Sequence, residues 1–183
     1  MMPANEKIYS GSADKLRDPE RIQLLEVPEV VRHCLDSSIR SVLDVGTGSG
    51  LFAEAFVKKG LEVRGIDLNP GMISEAQKRV PQAFFKQGAM EKIPYADISF
   101  DLVFFGLVLH ETDALETVIQ EAFRVSRKRA AFLEWPYLEE EKGPPLAHRL
   151  RADQIIEILY RTGFISADVI PMRHMVLLIA KKS

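Results

Sequence analysis

A strand-like run that ends on three alternating glycines constrains this chain more than any other feature. Val42-Leu43-Asp44-Val45-Gly46-Thr47-Gly48-Ser49-Gly50 passes straight into a helical pattern starting at Leu51. Glycines at such a junction let the backbone turn sharply and let a ligand approach with no Cβ in the way. The helix start behind them adds unpaired N–H donors. The rest of the sequence alternates short apolar runs with amphipathic helical segments. That alternation predicts an α/β fold: a Rossmann-like, doubly wound, seven-stranded sheet, mostly parallel, with helices on both faces.

Arg40–Asp44, Leu61–Ile66, Ala83–Lys86, Phe100–Leu107 and Ala130–Trp135 read as the parallel strands. Phe100–Leu107 is almost continuously apolar, as a central strand buried on both faces should be. Phe164–Ile170 and His174–Ala180, separated by Pro171, Met172 and Arg173, form a C-terminal antiparallel hairpin. Helices are expected over Leu51–Lys59, stopped by Gly60; after the Asn69 cap and Pro70, bounded by Pro81; over Asp113–Ser126; and over Asp153–Arg161, closed by Gly163. Leu115, Val118, Ile119, Ala122 and Phe123 give the third of these one apolar face. Asp18-Pro19-Glu20 and Val27-Pro28-Glu29 mark two earlier helix starts, so residues 1–39 are expected as a helical cap or lid folding as one unit with residues 40–183. Cys34 shares an apolar stripe with Val30, Val31 and Leu35, which makes it a core thiol.

A length of 183 residues suits one domain with a sizeable core. Apolar types at 46% and charged types at 27% exclude a disordered chain. Lys and Arg number 24 against 26 Asp and Glu, a net charge of −2, so no positive field exists to hold a polyanion and no nucleic-acid partner is expected. A single cysteine forms no internal disulfide and suits a reducing compartment. The segment MMPANEKIYSGSADK lacks the apolar core of a signal peptide, and the longest apolar stretches fall far short of the ~20 residues that span a bilayer. The expectation is a cytoplasmic protein without membrane attachment, monomeric or homodimeric. No close His/Asp/Glu cluster recurs at ligand spacing, so no metal is expected.

The glycine loop by itself suits a dinucleotide, a phosphate or an adenosyl group. A dinucleotide fingerprint, G-x-G-x-x-G, needs glycine at 51, where Leu51 stands; the phosphate-loop pattern is absent as well. Two carboxylates flank the loop. Asp44 lies at the end of the first strand. Asp67 ends the second, about 21 residues past Gly46, where a carboxylate can accept both hydrogens of a ribose diol. Carboxylates rather than arginines disfavour a phosphate-rich ligand and suit a positively charged one.

Taken together, VLDVGTGSG, GIDLNPGMI and GAMEKIPYADISFDLV resemble the class I S-adenosylmethionine-dependent methyltransferases, in particular the small-molecule subgroup labelled type 11. The resemblance runs from about Asp18 to Asp113 and continues as strand order, making residues 40–183 the methyltransferase domain. It implies S-adenosylmethionine as cofactor, S-adenosylhomocysteine as product and a small-molecule substrate. Residue by residue, it implies that Asp44 and the stretch Gly46, Thr47, Gly48, Ser49 and Gly50 hold the methionine half. Asp67 would take the ribose hydroxyls, with Leu68 beside the adenine. Gly88, Ala89, Met90 and Glu91 would line the adenine pocket, and Phe105 and Gly106 would pass under the methionine moiety. One departure stands out: many relatives carry an aspartate after the third motif's glycine, where this chain has Ala89. Backbone groups, Met90 packing or Glu91 must then read the adenine.

Transfer to a weakly acidic hydroxyl or a protonated amine needs a general base. His110, just beyond the fourth strand, is the first candidate, since its pKa can lie near neutral; a structural histidine hydrogen-bonded at a helix start is the alternative. Glu134 and Trp135 end the fifth strand as substrate-contact candidates, although a Trp there can equally be packing. The long connection Glu139–Arg149 exceeds the ~2–6 residues usual between elements, which nominates His148 or Arg149 as a lid residue reaching the pocket. Glu139–Glu141 reads as a solvated face. Tyr9 is placed over the cofactor by analogy with N-terminal segments of relatives. A [DNS]-P-P-[YF] signature after the fourth strand is missing, and no cysteine stands near those strands, which excludes two nucleic-acid methylating classes. Arg124, Arg127, Lys128 and Arg129 read as a basic helix C-terminus. The rivals are a non-catalytic module that binds the adenosyl cofactor and an NAD-dependent oxidoreductase.

Overall fold

The computed structural model describes Tyr9 and residues 11–183; residues 1–8 and Ser10, at the head of the expected cap, lie outside the described residues. Seven strands form one sheet: β1 (Ser41–Val45), β2 (Glu62–Asp67), β3 (Phe84–Gln87), β4 (Phe100–Gly106), β5 (Ser126–Glu134), β6 (Ser166–Pro171) and β7 (Val176–Lys181). Their order is β3-β2-β1-β4-β5-β7-β6. The first five run parallel. The last strand, β7, lies antiparallel between β5 and β6, so the C-terminal hairpin is present and its second strand attaches it to the sheet. The helices are α1 (Pro19–Leu24), α2 (Val27–Cys34), α3 (Leu51–Val57), α4 (Pro70–Arg79), α5 (Leu115–Val125) and α6 (Ala152–Thr162).

Successive residues of the central strands point to opposite faces, and each face has its own core. Val42, Leu102 and Phe104 pack with α2, α3 and α4 residues including Val30, Cys34, Phe56 and Ala76. Leu43, Val45, Val103 and Phe105 pack on the other face with Val118, Ile119, Ile155 and Leu159 of α5 and α6. The α1–α2 segment therefore shares a core with the sheet through Leu25, Val27, Val30 and Val31. Cys34 is fully buried.

Local chemistry sets several boundaries. Asn69 caps α4 by accepting from the Gly71 N–H at 2.8 Å, with Pro70 in the first turn. Gly163 closes α6 in the left-handed region at φ +116°. One boundary departs from the sequence reading: β5 begins at Ser126, not Ala130, so Arg127, Lys128 and Arg129 are strand residues rather than a helix end. Arg127 pairs with Asp101 at 2.7 Å and Arg129 with Asp36. These cations are held at the N-terminal end of β5, remote from the strand C-termini.

Chain order steps outward from β1 through β2 to β3, then returns to β4 on the other side of β1. Such a reversal opens a crevice beyond the C-terminal ends of the strands, where open α/β sheets bind ligands. No helix among the described residues is long and apolar enough to cross a membrane.

Candidate functional site

A cavity of about 1050 Å³ occupies that crevice, at the upper end of the ~300–1,000 Å³ typical of ligand sites. Its floor is the glycine loop. Gly46 and Gly48 sit at φ +67° and +52°, a region that penalises any Cβ. A Cβ on Gly46 would meet Val108 at 2.6 Å, and one on Gly48 would meet Leu16 at 2.8 Å. Both positions need glycine for conformation and for space.

Asp44 is buried at the tip of β1; its Oδ2 accepts from Thr47 Oγ1 at 2.7 Å and from the Ala53 N–H at 3.2 Å. Burial raises its pKa to about 7, against those two hydrogen bonds and with help from the nearby Asp67 charge. Asp67, at the tip of β2, accepts the Gly48 N–H on Oδ2 and the Asn69 N–H on Oδ1, both at 2.9 Å. Burial raises its pKa too, while those amides oppose the shift. Each Asp67 oxygen has a second acceptor position left for a ligand hydroxyl.

Past β4 the chain turns through Leu107, which adopts φ +58° and is buried. This costly conformation for a branched side chain folds Leu109–Glu111 into one 3-10 turn over the tip of β5. There Glu134 Oε1 accepts the Leu109 N–H at 2.8 Å, and Oε2 lies 2.8 Å from His110 Nδ1. Because a carboxylate accepts at that position, Nδ1 carries the hydrogen and Nε2 is left as the acceptor. The His110 side chain is 11% exposed and Glu134 2%. Burial pushes the imidazole pKa down, but the Glu134 hydrogen bond and charge, with Glu111, hold it above its ordinary value. Glu111 itself is raised to about 7, chiefly by burial, with His110 opposing.

Of the residues singled out in the sequence, the structure brings Tyr9, Asp44, Gly46, Thr47, Gly48, Ser49, Asp67, Leu68, Gly88, Ala89, Met90, Glu91, Gly106, His110, Trp135 and His148 to the cavity wall. Four others are elsewhere. Gly50 caps α3 at φ +76°. Phe105 stacks on Phe132 in the core on the α5–α6 side. Glu134 lies beneath His110 rather than in the cavity. Arg149, expected to reach in from the lid, is 5% exposed and turned into its own loop. Its guanidinium donates to the carbonyls of Pro144, Pro136, Leu138 and Lys142 at 2.5–3.1 Å. The correction has a plain cause: a connection this long has orphan carbonyls, and one five-donor fork gathers four of them. The loop so shaped sets Gly143 against the Trp135 ring, which becomes cavity wall.

Arg21, Asn69, Met72, Leu107, Val108, Glu111, Thr112 and Gly143 also line the cavity. The sequence signal available for the His110–Glu134 contact was positional: His-Glu follows β4 and Glu-Trp ends β5, at the tips of neighbouring parallel strands. Glu91, a possible adenine reader, instead accepts from Thr112 Oγ1 at 2.7 Å.

A family described as "Methyltransferase domain" matches residues 43–133. The chain is 31% identical over 129 residues to a malonyl-[acyl-carrier protein] O-methyltransferase of Enterobacter lignolyticus, covering 70% of this chain and 50% of that one. It is 39% identical over 85 residues to a demethylmenaquinone methyltransferase of Chlorobaculum parvum, covering 46% and 35%. The chain thus spans half or less of the length of these curated relatives. A solved S-adenosylmethionine-dependent methyltransferase of Aquifex aeolicus superposes with a TM-score of 0.82 at 25% identity, covering 93% of this chain and 97% of that one.

Proposed function

The chain belongs to the class I S-adenosylmethionine-dependent methyltransferases, of the type 11 kind, and we propose that it moves the cofactor's methyl group to an oxygen, nitrogen or carbon of a small molecule held in the same cavity. The observation that carries this reading is the meeting of the glycine loop, Asp67 and His110 on one cavity at the sheet's reversal point. The residues fit the cofactor. The glycine loop lines the cavity with no side chain at Gly46 or Gly48, and Asp67 has acceptor capacity for a ribose diol. Asp44 offers a partner for positive charge.

When bound, the cofactor supplies an electrophilic methyl on a cationic sulfur. The chain's own residues do the rest. Gly46 to Ser49 and Asp67 orient the nucleoside, and Met90, Leu107, Val108 and Trp135 exclude water from the reaction space. His110 Nε2 takes a proton from a hydroxyl or ammonium acceptor, while Glu134 fixes the tautomer and steadies the imidazolium that forms. For an acceptor that is already an anion, His110 orients rather than deprotonates. The relatives named for malonyl-[acyl-carrier protein] and for demethylmenaquinone support a small or carrier-linked organic acceptor.

Calorimetry tests the cofactor half of this reading. S-adenosylhomocysteine is expected to bind and NADH is not. Asp67→Ala is expected to remove two charge-assisted hydrogen bonds, on the order of 2–4 kcal/mol of affinity. A loss below about 0.5 kcal/mol would put the ribose elsewhere. Tritiated-methyl transfer to a small-molecule extract, with none to total RNA or protein, is the expected pattern for the acceptor half. Binding without any transfer would favour the non-catalytic reading.

A further inference from the structure

A second concavity, of about 430 Å³, opens at the opposite end of the sheet, where β1, β2, β4 and β5 begin. None of the residues that line it lines the first cavity. Three arginines wall it, Arg40 just ahead of β1, Arg64 in β2 and Arg127 in β5, against two carboxylates, Glu62 and Asp101. Arg127 and Asp101 satisfy each other at 2.7 Å, and the other Asp101 oxygen takes the Arg40 and Ser41 amides at 2.9 and 3.2 Å. What remains is one positive charge in excess, carried by Arg40 and Arg64 against Glu62.

Neither of those arginines is committed elsewhere. The Arg40 guanidinium reaches the carbonyl of its neighbour Ile39 at 3.0 Å and has no ion pair among the described residues. Arg64 touches Glu62 at 3.3 Å with both side chains well exposed, a pairing of little strength. Its guanidinium lies beside two rings, 5.8 Å from the centre of Tyr95 and 6.0 Å from that of Phe84, and such stacking leaves the edge donors open. The Tyr95 hydroxyl is buried there with no hydrogen-bond partner. Its ring is held in place, with Lys86 Nζ 3.7 Å from the ring centre and Phe100 meeting it edge-on at 4.9 Å. Burial raises the phenol pKa while the Arg64 charge opposes, so the group stays a donor. A buried hydroxyl left unpaired is rare enough to need an explanation, and a bound acceptor supplies one.

We propose that this concavity binds a phosphate-class anion, inorganic phosphate or the end group of a small phosphomonoester, through the Arg40 and Arg64 guanidinium groups and the Tyr95 hydroxyl. Guanidinium forks match phosphate oxygens. The three donors come from β1's approach, from β2 and from the connection into β4, so no single plane is built into them. A tetrahedral anion offers oxygens to all three, whereas a planar carboxylate is filled by one fork. A long polyanion is disfavoured, because the local excess is a single charge on a chain of net −2. The site stands apart from the methyltransferase reading and does not depend on it.

The test is calorimetry with inorganic phosphate and with phenyl phosphate, each titrated into wild type with and without saturating S-adenosylhomocysteine. One anion per chain is expected, with the same affinity in both conditions, since the two cavities share no residue. Arg40→Gln and Arg64→Gln should each weaken binding at least about tenfold, and Tyr95→Phe about threefold, because a neutral donor contributes less than a charged one. Arg32→Gln, which alters an exposed α2 arginine paired with Glu29, should leave it unchanged. Equal affinity for the two probes identifies the free anion as the ligand, and tighter phenyl phosphate identifies a monoester; both support the site. No binding at millimolar phosphate, displacement by S-adenosylhomocysteine, wild-type affinity in the Arg40 and Arg64 variants, or an equal loss in Arg32→Gln overturns the proposal.

Discussion

Replacing Glu134 by glutamine separates its structural from its chemical role. The amide keeps an oxygen that accepts the Leu109 N–H but presents an NH₂ where Oε2 faced His110 Nδ1. The imidazole must then accept at Nδ1 and carry its hydrogen on Nε2, the wrong tautomer for a base. Base catalysis contributes about 10²–10⁴-fold, so methyl transfer to a hydroxyl or ammonium acceptor should fall by that factor. Stability should drop by only about 1–3 kcal/mol, one charge-assisted hydrogen bond. Glu134→Ala, by contrast, leaves two buried groups unpartnered and should cost roughly 2–6 kcal/mol. The pH dependence carries a second signature. Because His110 titrates above its ordinary value, the pair's stability is fully present below pH ~6.5 and is lost as pH rises through the folded pKa. In Glu134→Gln burial dominates, so that slope reverses, stability falling as pH drops, and the His110 titration, followed by NMR, moves to lower pH. Unchanged transfer and an unmoved His110 titration would refute the dyad.

Three further outcomes are expected. Asp44 releases its proton near pH 7 in the folded chain and near 4 when unfolded, so without ligand it loses stability as pH rises between those values. Asp44→Asn should therefore melt above wild type at pH 8, with the gap shrinking toward pH 5 in differential scanning calorimetry. Arg149→Ala strands four carbonyls and should lower stability by about 2–4 kcal/mol, with limited proteolysis cutting between residues 136 and 148. Ala89→Asp should tighten S-adenosylhomocysteine by about 1.5–3 kcal/mol, read by quenching of Trp135, the chain's only tryptophan and part of the cavity wall.

The parts of the molecule written as local pattern were legible in the sequence. The apolar run 100–107, the Asn69-Pro70 cap and the Gly163 stop each act through their own few residues, and the alternation of strands and helices gives a mostly parallel sheet, though not the order of its strands. The start of β5 was hidden because Arg127, Lys128 and Arg129 have no apolar periodicity; their partners Asp101 and Asp36 are remote in sequence. In the site, Asp44, Asp67 and the glycines are tied to one loop and were visible. Glu134 was found as a strand-end acid, but that it lies beneath His110 depends on how two strand tips meet. Arg149 shows the same limit: a polar residue in a long loop reads as reaching outward, and only the fold reveals how many orphan carbonyls it must satisfy. Arg21 has no pattern at all, being one arginine in a polar helix.

The place of β7 between β5 and β6 bears on how the chain is made. When β6 leaves the ribosome its only neighbour does not yet exist, whereas the five parallel strands and the crevice at their tips are already synthesised. Until β7 inserts, β5 exposes an open apolar border, so the nascent protein should need a holding chaperone most in the interval between residues 134 and 181.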